Sequence, residues 1–398
     1  MPAANKFRHQ NYPTTPAIRP QSKKVSVNDG KNGKQAQFAR LHEAHNIHHV
    51  LLVHGTFLGS DPIGISDILR GIGGNAGFLK KSFDSMADKL AEATRSATNS
   101  LAADVANYCG PFREAFQTLV GADPAVSLLE PSWSSQNHHV ARADLAIRLF
   151  LKLNQLVQAE DQRVLLWGHS HAGNGFAILS NLLANDRAAV NRFFAAAGDQ
   201  GKHWLEAKRL LARADSPHPL ARSIDIAAFG TPVRYGWDTT GYRRLVHVLH
   251  HRRQEGEAHG RTKPLFPPHN LKNMVTAKYG DWVQAFAIAG TDIRSVTSLT
   301  SNTQLGEVLT AGLKEPEHGA GTRFIVPENL KNTCARWKTG TRCHADGLNL
   351  LLEYKPCGRT TRVGQPIEQS VLGHGVATTV EWLPTHLALV LRALDESK

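Results

Sequence analysis

The sequence predicts an α/β fold built on a mostly parallel sheet, and three observations carry that expectation. Short continuous apolar runs recur along the chain, among them "HHVLLVHGTF", "RVLLWG" and "SIDIAAFGTPV", the pattern of strands buried on both faces. Segments with leucine and phenylalanine at helical spacing separate them. Strands that alternate with helices imply parallel pairing, because a parallel neighbour is reached only through a crossover, and such crossovers lay helices on both faces of the sheet.

Taken in order, residues 48–57 ("HHVLLVHGTF") form a strand that ends at a His-Gly turn. The glycine-rich "GIGGNAG" leads into a helix near residues 78–105, with Leu79, Phe83, Met86 and Leu90 on one stripe. "AVSLLEPSW" is the next strand, and residues 138–159 form a helix carrying Leu145, Leu149, Leu153 and Leu156 on one face. "RVLLWG" is then a strand and "AGNGFAILSNLLA" its helix. "SIDIAAFGTPV" (223–233) and "WVQAFAIAGTDI" (282–293) are expected as strands ending in Gly-Thr turns, and "NLLLEYK" (349–355) as the strand before the final helix, "PTHLALVLRALD". Residues 58–77, 187–220 and 240–280 exceed what a strand-to-helix connection needs. They are expected as rim inserts of the lid type, the second of them helical in "VNRFFAAAG" and "WLEAKRLLARA".

Composition narrows the partners. The chain has 398 residues, of which 41% are hydrophobic, and a formal net charge of +12. Much of that charge is local: residues 1–40 hold eight basic side chains against Asp29, an excess of +7, with Pro13, Pro16 and Pro20 among them. Residues 1–44 are therefore expected to be a basic flexible arm with at most a weak contact to an anionic surface, and residues 45–398 the folded domain. No nucleic-acid-binding motif accompanies the arm, so no nucleic acid is expected as partner. The longest apolar runs, such as "AFAIA" and "VLLW", are far too short to span a bilayer, and the N-terminus lacks the apolar core of a secretion signal. The expectation is a cytoplasmic protein, with signal-less export still compatible. Cys109, Cys334, Cys343 and Cys357 are too few and scattered for a disulfide framework, and their spacing around His344 is not that of zinc ligands. No metal is expected.

The chemistry centres on "QRVLLWGHSHAGNGFAILSNLLAND", residues 162–186. Ser170 stands at the tip of a strand-to-helix turn, with Gly168 and Ala172 two positions to either side. That is the spacing of a nucleophile elbow, where strand and helix come too close for larger side chains. Acyl transfer also needs backbone N–H groups to meet the oxyanion. His171, which follows the nucleophile, and Thr56 or Phe57 in the "HGTF" turn are the candidates. A base must take the hydroxyl proton, and after the last strand "SVLGHGVATTVEWLPTHL" offers His374 in a glycine-flanked loop, whereas His386 lies inside the final helix. His54 is expected to shape its loop, His169 and His171 to point away from the Ser170 hydroxyl, and the pairs His138–His139 and His250–His251 to be solvated or at helix ends.

In "LLVHGTF", "LLWGHSHAG", "AIAGTDI" and "LGHGVATT" the chain resembles the α/β-hydrolase superfamily, in particular its bacterial lipase-like and esterase-like members, over residues 48–391. "WSSQNHHVARADLA" is also similar to a Trp-Ser-x-x-Asn segment with a downstream arginine seen in bacterial lipase-like proteins. The resemblance implies an α/β-hydrolase fold with a sheet of about eight strands, a Ser-His-Asp triad and no cofactor; Ala172 stands where the familiar elbow has glycine. The acid is then expected to follow the third strand counted from the elbow strand, which favours Asp292. Asp346 is the alternative, in an Asp-Gly pair like the acid turn of some lipases but ahead of its strand, and Asp238 is a weaker third. The activity implied is hydrolysis of a carboxylic ester, of a lipid or other small acyl ester. Acyl transfer or amide cleavage on the same triad, or a binding module on a hydrolase scaffold, are the alternatives.

Overall fold

The apolar runs become strands of one sheet in a computed structural model of the chain, which describes residues 21–27, 41–55, 108, 110–120, 126–252, 271–287, 299–310, 343–344, 346–361 and 364–396. The strands are β1 (Ser22–Val27), β2 (Ile47–Val53), β3 (Ser127–Leu129), β4 (Arg163–His169), β5 (Ile224–Phe229), β6 (Arg244–His250) and β7 (Leu348–Tyr354). They pair in the order β1-β7-β6-β5-β4-β2-β3, and every pairing is parallel. Seven strands are thus seen among the described residues, against about eight expected.

The helices are α1 (Leu41–His45), α2 (Gly110–Val120), α3 (His139–Leu156), α4 (His171–Ala184), α5 (Arg187–Ala197), α6 (Lys202–Arg213), α7 (Leu271–Val275), α8 (Trp282–Ala287), α9 (Leu299–Thr310) and α10 (Leu383–Glu396). They cover both faces. On β2, Leu51 and Val53 enter the apolar layer shared with α3, α4, α5 and α6, while Val50 and Leu52 enter the layer shared with α2 and α10. Successive strand residues point to opposite faces, so burial on both sides demands an unbroken apolar run rather than an alternating one. A buried charged pair inside the sheet is matched. Asp225 on β5 lies in register with Arg244 on β6, whose Nε and Nη2 each donate to it at 2.8 Å, while Arg244 Nη1 donates to the Leu394 carbonyl oxygen and ties α10 to the sheet.

Three expectations change. Part of the supposed arm is a strand: Ser22–Val27 lies parallel to β7 along the edge of the sheet, with Val27 buried. "WVQAFAIAGTDI" does not begin as a strand, because Trp282–Ala287 is helical, and residues 288–298 lie outside the described ones. The strand in question is β6, "RLVHVLH", which falls inside the supposed 240–280 insert and is buried throughout. Its two histidines and its arginine made a core strand look polar. The 187–220 insert is helical, as expected: α5 packs on α9 and α6 on α3, where Asp144 accepts from Trp204 Nε1 at 2.8 Å and approaches His203 Nε2 at 2.6 Å. Phe193 and Trp204 stack at 5.6 Å in that seam. The 58–77 insert and the 78–105 helix lie outside the described residues.

The topology creates a crevice. From β2 the chain passes outward to β3 and then returns across β2 to β4, so the connections leave neighbouring strands in opposite directions. In open α/β sheets the carboxyl ends of strands at such a switch point are where ligands bind. Here those ends are Gly55, beyond β2, and Ser170, beyond β4.

Candidate active site

Ser170 has φ 56° and ψ −129°, a combination that ordinary residues avoid and that a sharp strand-to-helix turn imposes. The turn is locked from several sides. The Ser170 N–H donates to the Phe229 carbonyl oxygen at 2.7 Å, extending the β4–β5 ladder by one residue. A Cβ on Gly168 would stand 2.3 Å from Phe176 Cε2 and 3.2 Å from Ala172 Cβ, and one on Gly173 would stand 2.0 Å from Thr231 Oγ1. The small residues around the serine are therefore dictated by packing. Alanine at 172 fits.

The His-Gly turn comes to the same place. A Cβ on Gly55 would lie 2.7 Å from Ser170 Cβ and 3.4 Å from its Oγ, so the backbone after β2 passes directly against the serine. His54 Nδ1 donates to the Gly55 carbonyl oxygen at 2.9 Å, and Trp133 stacks on the His54 ring and donates from Nε1 to the His54 carbonyl oxygen at 3.1 Å. The "WSS" segment after β3 thus braces this turn, and burial lowers the His54 pKa. Thr56 and Phe57 lie outside the described residues. His171 is the first residue of α4, where an N–H has no acceptor within its own helix. Its ring turns aside, its Nδ1 accepting from Asn174 Nδ2 at 3.1 Å.

His374 directly follows the short helical segment Ile367–Gly373, beyond β7, and is buried. Its Nδ1 lies 2.6 Å from Asp281 Oδ2, and the other carboxylate oxygen of Asp281 accepts from the Gln284 N–H at 2.8 Å, capping α8. Asp281 is anchored to the sheet as well, since its N–H donates to the His250 carbonyl oxygen at the end of β6. The serine and this pair meet at Gly230. That residue follows Phe229, the acceptor of the Ser170 N–H, and a Cβ on it would stand 2.9 Å from Asp281 Oδ2 and 3.1 Å from His374 Nδ1 and Cε1. With φ +55° and no room, position 230 admits glycine alone.

The carboxylate on His374 is thus Asp281, a residue the sequence reading did not single out. Asp292 lies outside the described residues. Asp346 precedes β7, at the sheet edge opposite Ser170, and its carbonyl oxygen lies 3.2 Å from His247 Nε2. Asp238 uses its carboxylate on its own turn, accepting from Thr240 N and Oγ1. Asp281 comes after β6, the third strand counted from β4, which is the place where the resemblance led the sequence reading to expect an acid.

The histidine pairs expected in solvent or at helix ends are buried, and His138 and His139 do stand at a helix end. His138 caps α3, its Nδ1 accepting from the Ala141 N–H, and His139 Nδ1 lies 2.7 Å from the Tyr235 hydroxyl. Arg142 donates to that hydroxyl and to Asn137 Oδ1, each at 2.8 Å, so the asparagine and arginine of the "WSSQNHHVAR" segment meet in the core. His250 and His251 lie buried at the end of β6. The His169 ring lies against that of His374, with ring centroids 4.2 Å apart, and burial first and the neighbouring His374 second hold its pKa well below the usual value.

Among the described residues no three His, Cys, Asp or Glu side chains converge as metal ligands, and no helix is long and apolar enough to cross a membrane. Compared with protein-family models, curated proteins and solved structures, the chain has no significant match.

Proposed function

We propose that the protein is a serine hydrolase of carboxylic esters, with Ser170 as nucleophile, His374 as general base and acid, and Asp281 as the carboxylate that orients the imidazole. The observation that carries the reading is the meeting at Gly230 of a serine held in elbow geometry with a buried histidine–aspartate pair. Because Nδ1 of His374 donates to Asp281, Nε2 is the free base. It takes the Ser170 proton as Oγ bonds to the acyl carbon, and it returns that proton to the alcohol as the ester C–O bond breaks. Water, deprotonated by the same nitrogen, then cleaves the acyl-enzyme to the acid and regenerates the hydroxyl. The oxyanion at each tetrahedral stage is met by the His171 N–H and an N–H of the turn beyond Gly55, for which Thr56 and Phe57 remain the candidates.

A fluorophosphonate phosphonylates only a serine activated in this way. The expected result is one adduct per chain, mapped to a peptide containing Ser170 and absent from Ser170→Ala. An unlabelled protein, or an adduct on another residue, would refute the reading.

A further inference from the structure

The backbone that delivers His374 is strained. Val371, Leu372 and Gly373 follow one another at φ 48°, 57° and 85°, a left-handed run in which Cβ crowds the following carbonyl for any residue but glycine. Val371 is β-branched and least suited to it. At Gly373 no side chain fits, since a Cβ would stand 2.8 Å from both Ala277 Cβ and the Gly280 carbonyl oxygen. Backbone of this kind persists only where its surroundings over-determine it.

Two buried histidines supply that restraint. His250, the last residue of β6, places Nδ1 2.8 Å from the Gly373 carbonyl oxygen, and His169, the last residue of β4, places Nε2 3.2 Å from the His374 carbonyl oxygen. A carbonyl oxygen only accepts, so both ring nitrogens donate, and each histidine carries a proton on the named atom. The peptide groups on both sides of the His374 Cα are thereby tied to the carboxyl ends of two core strands. The His169 ring also lies against the His374 ring.

We propose that His169 and His250 are positioning residues, a clamp that holds the strained turn closed and keeps His374 Nδ1 on Asp281. Its effect on catalysis rests on His374 being the general base. It acts through the donated N–H, so a ring of the same size without that N–H does not replace it.

Paired substitutions separate donor from ring. His169→Phe and His250→Phe keep a ring and remove the N–H; His169→Gln and His250→Asn return an amide N–H near Nε2 and Nδ1 respectively. The first readout is the proton NMR signal of His374 Nδ1–H, far downfield because of its carboxylate acceptor and assigned by its loss in His374→Asn. It is expected to persist in wild type and in the Gln and Asn variants, and to vanish or broaden in the Phe variants. The second is the rate of fluorophosphonate labelling. It is expected to fall about 100-fold in the Phe variants, the order of loss for a catalytic group displaced by about 1 Å, and to recover at least about tenfold of that in the amide variants. Phe variants that keep the signal and the wild-type rate overturn the clamp, as does an equal loss in Phe and amide variants. If wild type does not label yet the signal responds in this pattern, the hydrolase reading fails and the clamp stands; if wild type labels and the signal ignores the variants, the reverse holds. Should His169→Phe fail to fold, the His250 pair carries the comparison.

Discussion

As the proposed general base, His374 needs a fixed orientation and a partner for the positive charge that forms when it takes a proton, and Asp281 is placed to meet both needs. One carboxylate oxygen receives Nδ1 at 2.6 Å while the other is spent on the Gln284 N–H, so the carboxylate cannot rotate away without uncapping α8. Replacing Asp281 by asparagine keeps the shape but lets the amide donate to Nδ1, which forces the proton onto Nε2 and removes the base. Turnover of a short-chain ester by Asp281→Asn is therefore expected to fall by about 10⁴ with little change in KM, whereas Asp346→Asn, at the opposite edge of the sheet, leaves turnover near wild type. Steady-state kinetics of the two variants side by side checks this. A loss confined to Asp346→Asn would move the acid there. Ser170 and its small neighbours were legible in the sequence because close packing around an elbow forces Gly168, Ala172 and Gly173 to stay small at fixed offsets. Asp281 was not, since nothing local marks it; its role comes from where β6 ends.

At the scale of elements, histidine explains both the errors and a testable property. Strand β6 was hidden by His247 and His250, which read as polar yet lie in the core, His247 stacked on His344 at 3.8 Å. The helix α8 was mistaken for a strand because a short apolar run has no diagnostic period. The strands β2, β4, β5 and β7, by contrast, were plain, since burial on both faces leaves no room for a polar alternation. Buried neutral histidines also join elements. His386 Nε2 of α10 lies 2.6 Å from the Tyr354 hydroxyl of β7, and burial presses its pKa down to about 3; His344, ahead of β7, is pressed down to about 4 by the same cause. The folded protein resists protonating these rings while the unfolded chain protonates them near pH 6.5, so their neutral burial contributes fully above that pH and loses ground as the pH falls through the window from 6.5 toward about 4 and about 3. Each group weakens the fold by about 1.4 kcal/mol per pH unit within its window. Urea unfolding is expected to show lower stability at pH 5 than at pH 7, with a shallower loss in His386→Gln. Equal stability at the two pH values would contradict the neutral burial of these rings.

For the molecule as a whole, the parallel sheet sends every strand's carboxyl end to one edge, and the change of direction between β2 and β4 opens that edge as a crevice. Five strands then contribute to one place. The turn after β2 passes against Ser170 at the end of β4, Gly230 follows β5, and Asp281 is bonded to the end of β6. His374 arrives after β7, held over that edge by a strained turn. The central claim is that this convergence performs covalent catalysis, and the acyl-enzyme tests it most directly. Mixing the protein with a p-nitrophenyl ester in a rapid-quench instrument should release a burst of close to one nitrophenolate per chain. Mass spectrometry of the quenched protein should find the acyl group on Ser170, and Ser170→Ala should lose the burst and lower turnover by up to about 10⁶. Release with no burst and no acyl group on the chain, or undiminished turnover in Ser170→Ala, would contradict it.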